Sequence, residues 1–156
     1  MPNAFPGQSS RARDLALGFL AGALAVAIFH QFMVFVLGIA GLGGGQIYSL
    51  RGVPPFDTPR IVSQMFWGGV WGMVFAAIAG KLPDWPLIVL GFLFGVCGPV
   101  LFSWTILALM RGAALFAGFN PARMLASVLI NGFYGIGVAL IFAPLRRWTA
   151  RVTKAA

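Results

Sequence analysis

The residues of this chain that could do chemistry are polar side chains set within, or just before, long apolar segments. Polar groups in a membrane helix are costly, so they are candidates for function unless they serve packing. Arg60 and Gln64 share one helical face at a spacing of four residues, and His30 and Gln31 lie at a similar predicted depth in another segment. The full candidate polar pocket comprises His30, Gln31, Arg60, Gln64, Arg123 and Asn131.

Two arginines flank this candidate pocket. Arg60 and Arg123 each stand at the start of a predicted helix, where free backbone N–H groups carry partial positive charge. A pocket entrance lined by these positive charges favours an anion, for example a phosphate, a carboxylate or a lipid headgroup. The alternative is structural, with the arginines reaching out to headgroups and the buried amides hydrogen-bonding helix to helix. We favour the structural alternative.

Signatures of catalysis and metal binding are missing from the sequence. His30 is the only histidine, so a haem held by two histidines of one chain is excluded, although a single axial ligand, a quinone contact or a proton relay stays open. Cys97 is the only cysteine, which excludes an intrachain disulfide and a cysteine-based metal site. Asp14, Asp57 and Asp84 all lie near predicted membrane surfaces, away from His30. We therefore expect no catalytic residues, no metal and no cofactor.

The composition of the chain points to a lipid environment. Of its 156 residues, 60% are hydrophobic and only 9% are charged, too apolar a balance for a soluble domain of this size. Residues 15–40, 61–79, 85–110 and 124–145 each approach or exceed the roughly 20 apolar residues that cross a bilayer as a helix. Continuous apolar runs predict helices and not a barrel. The sequence predicts an all-α integral membrane protein with four transmembrane helices.

The first apolar segment has a competing interpretation as a cleaved signal peptide. Arg11 and Arg13 resemble the basic start of such a peptide, and Ala25-Val26-Ala27 resembles a cleavage site. However, the apolar run continues to about residue 40, which is longer than the core of a signal peptide. We predict that this segment stays in the protein as its first helix.

The basic residues predict the orientation of the chain. With alternate ends of the helices on alternate sides, seven basic residues fall on the side of the termini: Arg11, Arg13, Lys81, Arg146, Arg147, Arg151 and Lys154. The other side has four: Arg51, Arg60, Arg111 and Arg123. The positive-inside rule then predicts cytoplasmic termini in a bacterial inner membrane. We expect a disordered tail over residues 1–13 and a basic tail over 146–156 that contacts lipid headgroups, and no nucleic-acid partner.

Two parts of the sequence resemble each other. Residues 56–72 and 119–135 align at an offset of 63, matching phenylalanine, arginine and glycine positions. The first and third apolar segments also align, through residues 18–22 and 91–95. This similarity predicts a parallel tandem repeat of two helical hairpins, residues 14–80 and 85–145. Chance similarity among abundant Gly, Phe and Leu residues is the alternative.

Capping and packing residues follow the same pattern. Asp57 and Asn120 are predicted N-caps, whose side-chain oxygens would accept hydrogen bonds from the first N–H groups of the second and fourth helices. Small residues at a spacing of four allow helix backbones to approach closely in lipid. The predicted packing glycines are Gly18, Gly22, Gly68, Gly72, Gly91 and Gly95. They serve packing within the chain or docking of a second subunit.

These features predict a class of function and no specific activity. We expect a non-catalytic multi-pass membrane protein that acts as an accessory or structural subunit of a larger membrane assembly. Its expected partners are membrane lipids and either other membrane-protein subunits or further copies of itself. The alternative is a small oligomeric channel or transporter, or a lipid- or anion-binding protein, with the polar pocket open to the outer face.

Overall fold

Four long helices make up most of the protein. The structure is a computed structural model, and it describes residues 11–43, 45–54 and 56–155. A ladder of two short antiparallel strands lies in the first connection, and a short 3₁₀ segment, Leu115–Phe119, precedes the last helix. In chain order the elements are α1 Arg11–Ile39, β1 Gly52–Val53, β2 Thr58–Pro59, α2 Arg60–Lys81, α3 Leu87–Met110 and α4 Pro121–Ala155.

The prediction of four helices long and apolar enough to cross a membrane is confirmed. Two predicted boundaries are wrong. Helix α1 already begins at Arg11, inside the predicted tail of residues 1–13, whose first ten residues lie outside the described part of the chain. Helix α4 does not end with the predicted segment at residue 145 but continues through Pro144 to Ala155. Proline removes only one backbone hydrogen bond, and helices tolerate it when neighbouring groups compensate.

Glycines bring α1 and α2 into backbone contact. Gly18 and Gly22 of α1 face Gly68 and Gly72 of α2. A Cβ atom added to Gly18 would lie 2.5 Å from the carbonyl oxygen of Gly72, inside van der Waals contact. Close approach of this kind gives lipid-embedded helices dispersion contacts along their backbones. These four glycines, which the sequence predicts as packing residues, lie at the contact between the two helices.

Helices α3 and α4 meet in the same manner. A Cβ atom on Gly91 would lie 2.5 Å from the carbonyl oxygen of Gly135, and one on Gly95 would collide with the backbone of Asn131. In both helix pairs a phenylalanine ring also covers a glycine: Phe19 lies over Gly69. The corresponding pair in the second hairpin is Phe92 and Gly132.

Larger side chains join the two hairpins. Phe75 of α2 packs edge-on against Phe94 of α3 and Phe142 of α4, with ring centroids 5.0 and 6.0 Å apart. Both Phe75 and Phe142 are fully buried. Beside them, the hydroxyl group of Tyr134 in α4 donates a 2.6 Å hydrogen bond to the carbonyl oxygen of Gly68 in α2. The contact between the hairpins is thus made by side chains, whereas each hairpin closes through its backbone.

Helices α1 and α3 each contain a π-helical turn, Val26–His30 and Val96–Val100. In α3 the turn contains Pro99, which has no N–H group and clashes with the carbonyl four residues back, so a wider turn accommodates it. In α1 no proline is present in the turn. There the N–H group of Gln31 bonds to the Val26 carbonyl five residues back, so the carbonyl of Ala27 is not its acceptor.

An ion pair fastens the beginning of α1 to the end of α4. The Nε atom of Arg146 lies 2.9 Å from Oδ2 of Asp14, and the two side chains are only 11% and 12% exposed. Burial at this level strengthens the attraction between the charges but also makes either charge costly when it is left alone.

The predicted cap at Asp57 is wrong. Asp57 lies in the turn between β1 and β2 with φ of 52°, and α2 begins three residues later, at Arg60, without a side-chain cap. The first connection supplies backbone acceptors instead: the N–H of Arg60 bonds to the carbonyl of Arg51 at 2.9 Å, and that of Ile61 to Ser49 at 3.1 Å. In the second connection, Oδ1 of Asn120 accepts a 3.1 Å hydrogen bond from the Arg123 N–H, as an N-cap does.

Candidate functional site

Three of the six predicted pocket residues meet between α1 and α2. The Nε2 group of Gln31 donates to Oε1 of Gln64 at 3.3 Å and lies 3.3 Å from Nδ1 of His30. Gln31 is only 3% exposed, so these contacts satisfy an amide that would otherwise be costly to bury. We call His30, Gln31 and Gln64, together with Tyr48, the amide cluster.

Tyr48 brings the first connection into this cluster. Its backbone N–H donates a 2.8 Å hydrogen bond to Oε1 of Gln31. Its hydroxyl group donates a 2.8 Å bond to the carbonyl oxygen of Ala27, the oxygen that the π-helical turn leaves without its usual helical donor. The amide cluster therefore ties the connection between α1 and α2 to the membrane-embedded part of α1.

The other three predicted pocket residues lie elsewhere or at the edge. Arg60 is exposed at the start of α2. Arg123 is exposed at the start of α4. Asn131 donates from Nδ2 to the carbonyl oxygen of Ser127 at 2.9 Å, within its own helix. The six predicted pocket residues are therefore divided between the two hairpins, and the described hydrogen bonds do not join the two groups.

The hydrogen bonds of Gln31 indicate what the amide cluster does. Both ends of its side-chain amide are engaged, Nε2 by Gln64 and His30 and Oε1 by the backbone of Tyr48. An amide in this state orders its neighbours and has little capacity left for a ligand. The geometry supports the structural interpretation of the buried amides.

Replacing Gln31 by leucine is expected to release the first connection. The Tyr48 amide loses its acceptor, so its hydrogen exchange in detergent should become at least about tenfold faster, as the loss of about 1.4 kcal/mol of local protection implies. Gln46→Leu is the matched control because Gln46 is exposed in the same connection. Equal exchange at Tyr48 in the wild type and in Gln31→Leu would show that the amide cluster does not hold the connection.

A cavity of about 250 Å³ lies in the second hairpin, between the end of α3, the following connection and the start of α4. Its walls are mainly apolar, with two hydroxyl groups, an indole and a guanidinium among them. Its lining includes Ser103, Trp104, Leu107, Arg111, Ala114 and Ser127. The sequence did not predict that Ser103 and Ser127, from two different helices, share a cavity.

Sequence reasoning also missed Tyr48. It is separated from Gln31 by 17 residues of chain that include a glycine-rich run, and no periodicity fixes the path of such a segment. The one indication in the sequence is the rarity of tyrosine, since Tyr48 is one of only two tyrosines in the chain. Over the described part of the chain, no group of three His, Cys, Asp or Glu side chains is placed to hold a metal ion.

The fold and the amide cluster define a class: a protein of four apolar helices of membrane-spanning length, with a hydrogen-bonded amide cluster near one end of the first hairpin. No family model, curated protein or solved structure matches this chain. Its function must therefore be argued from its own residues.

Proposed function

We propose that this protein is a non-catalytic multi-pass subunit of a larger assembly in a bacterial inner membrane. The observation that carries the proposal is a set of apolar side chains exposed beyond the helix ends, in the two long connections. Phe56 is 85% exposed, Leu50 75% and Phe119 73%. Exposed apolar side chains that form a contiguous patch mark a protein or lipid contact, and we propose that these residues belong to such a patch. A neighbouring membrane subunit is the partner that suits their position.

The contacts within each hairpin support an origin by tandem duplication. Gly18 and Gly72 in the first hairpin correspond to Gly91 and Gly135 in the second, at the offsets of 73 and 63 residues found in the sequence. In each pair, a Cβ atom added to the first glycine would lie 2.5 Å from the carbonyl oxygen of the second. Two hairpins with the same orientation are related by an axis along the membrane normal, as in parallel repeats.

The charge distribution supports cytoplasmic termini. Seven basic residues against four, counted by alternate helix ends, favour this orientation under the positive-inside rule. The long connections that carry Phe56 and Phe119 then face the periplasm, and the proposed partner covers that face.

The transport alternative is less well supported by the packing. A solute path through one chain would have to separate helices whose backbones touch at Gly22 and Gly95. It would also have to use Gln31, whose amide is engaged at both ends. Transport would therefore require a path between several copies of the chain.

The test is purification of the tagged protein from its native membranes in a gentle detergent, with sizing and mass spectrometry. We expect a stoichiometric complex that contains at least one other membrane protein. Phe56→Ser together with Phe119→Ser should dissociate it, while Trp148→Ser, at an exposed site on the opposite side, should not. Recovery of a single species that contains only this chain would contradict the proposal and favour a self-associating transporter.

A further inference from the structure

The cavity in the second hairpin has the chemistry of a ligand site. Its volume of about 250 Å³ is just below the range of about 300–1,000 Å³ that small-molecule pockets have, so it suits a small ligand. Leu107 and Ala114 contribute apolar wall, and Arg111 contributes a permanent positive charge. No carboxylate is present among the lining residues to neutralise that charge. An anionic group attached to a short apolar stem would match both parts of the lining.

Trp104 adds an aromatic surface to the cavity, since its ring forms part of the wall.

The connection that contributes Ala117 to the cavity wall is held in an unusual backbone conformation. Phe116, Ala117 and Phe119 have φ values of 49°, 55° and 51°, in the left-handed region that side chains disfavour, with Gly118 between them. Phe116 packs edge-on against the Trp104 ring, with centroids 6.2 Å apart. Strain of this kind persists where surrounding contacts impose it, and it concentrates at binding sites.

In the first hairpin, the first connection occupies the place that corresponds to this cavity. At the offsets of the proposed duplication, Gln31 and Gln64 correspond to Trp104 and Ser127. In the first hairpin the longer connection enters, and the Tyr48 N–H bonds to Gln31. In the second hairpin the shorter connection leaves a cavity. The correspondence between the hairpins depends on the proposed duplication, whereas the cavity and the positive charge of Arg111 do not.

We propose that this cavity binds an anionic amphiphile, in which a phosphate or carboxylate group near Arg111 and Trp104 is carried on a short apolar stem. The ligand chemistry has two sources: the headgroup region of an anionic phospholipid in the adjacent leaflet, or a soluble carboxylate or phosphate ester. The two sources share the charged group and differ in whether the stem belongs to a membrane lipid.

The test uses the full chain in phosphatidylcholine nanodiscs, with hexanoate and butyl phosphate as probes and 1-hexanol as the neutral control. Binding is followed by saturation-transfer NMR and by the rise in thermal unfolding temperature. We expect saturable binding of both anions and binding of hexanol at least about fivefold weaker. Arg111→Gln should weaken anion binding about tenfold, the loss of one charge-assisted hydrogen bond.

Matched variants separate this site from general effects. Ala114→Phe fills the cavity and should abolish binding, whereas Ala40→Phe, at an exposed position that follows α1, should not. Arg51→Gln removes an exposed arginine of the other connection and should leave binding unchanged. No saturable anion binding, or equal losses in Arg111→Gln and Arg51→Gln, would overturn the proposal.

Addition of phosphatidylglycerol to the nanodiscs distinguishes the two sources. Displacement of the probes from the wild-type protein assigns the site to membrane lipid. Undiminished probe binding assigns it to a soluble anion. Neither result bears on whether the protein is a subunit of an assembly, which the purification experiment tests separately.

Discussion

Gly72→Ala should destabilise the protein by about 2–3 kcal/mol, the usual cost of forcing extra atoms into a closely packed interface. A methyl group at this position would collide with the carbonyl oxygen of Gly18 and lie 2.9 Å from the backbone nitrogen of Gly22. Both neighbours are backbone atoms, so no side chain can move aside. The measurement is reversible unfolding in mixed micelles titrated with sodium dodecyl sulfate, followed by circular dichroism.

Gly80→Ala is the control for this substitution. Gly80 lies in the same helix, and a Cβ atom there would meet no atom within 4 Å. Its stability should equal that of the wild type or exceed it slightly, because alanine has the higher helix propensity. Gly135→Ala should behave like Gly72→Ala, since its methyl group would collide with the Gly91 carbonyl oxygen. Wild-type stability in Gly72→Ala would mean that α1 and α2 are farther apart than described.

The second large effect is expected at the ion pair between α1 and α4. Arg146→Met leaves the carboxylate of Asp14 nearly buried without its partner, and loss of one member of a buried pair costs about 3 kcal/mol or more. The double variant Asp14→Leu with Arg146→Met removes both charges and should recover most of that stability. The same unfolding assay measures both, and the difference between them gives the coupling energy.

Arg151→Met separates this effect from the general loss of a basic residue. Arg151 is exposed in the last part of the same helix, and its replacement should change stability by less than about 0.5 kcal/mol. A double variant as unstable as Arg146→Met alone would mean that the arginine acts through contacts other than Asp14.

Hydropathy alone predicted the four helices, because lipid requires about 20 consecutive apolar residues and few other structures need them. Spacing also predicted the packing role of Gly18 and Gly72, since close backbone contact in lipid depends on small residues at helical intervals. Both signals are local and depend little on the path of the rest of the chain.

The failures arise where a local signal competes with a distant partner. Asp57 has the right residue type for a cap, but the carbonyl groups of Arg51 and Ser49 accept the hydrogen bonds from the first N–H groups of the helix. Pro144 resembles a stop signal, yet α4 continues through it. The meeting of Gln31 with Tyr48 depends on a π-helical turn and a folded connection, neither of which leaves a periodic pattern.

The two kinds of contact in this fold differ in how they tolerate sequence change. Within each hairpin the helices touch through backbone atoms at Gly22 and Gly95, and every side chain larger than hydrogen is excluded there. Between the hairpins the contact includes rings such as Phe75 and Phe142, which other apolar groups of similar volume can replace. Over evolutionary time the glycine positions should therefore remain fixed while the aromatic contact drifts. The relative tilt of the two halves is then the property that natural variants can adjust most freely.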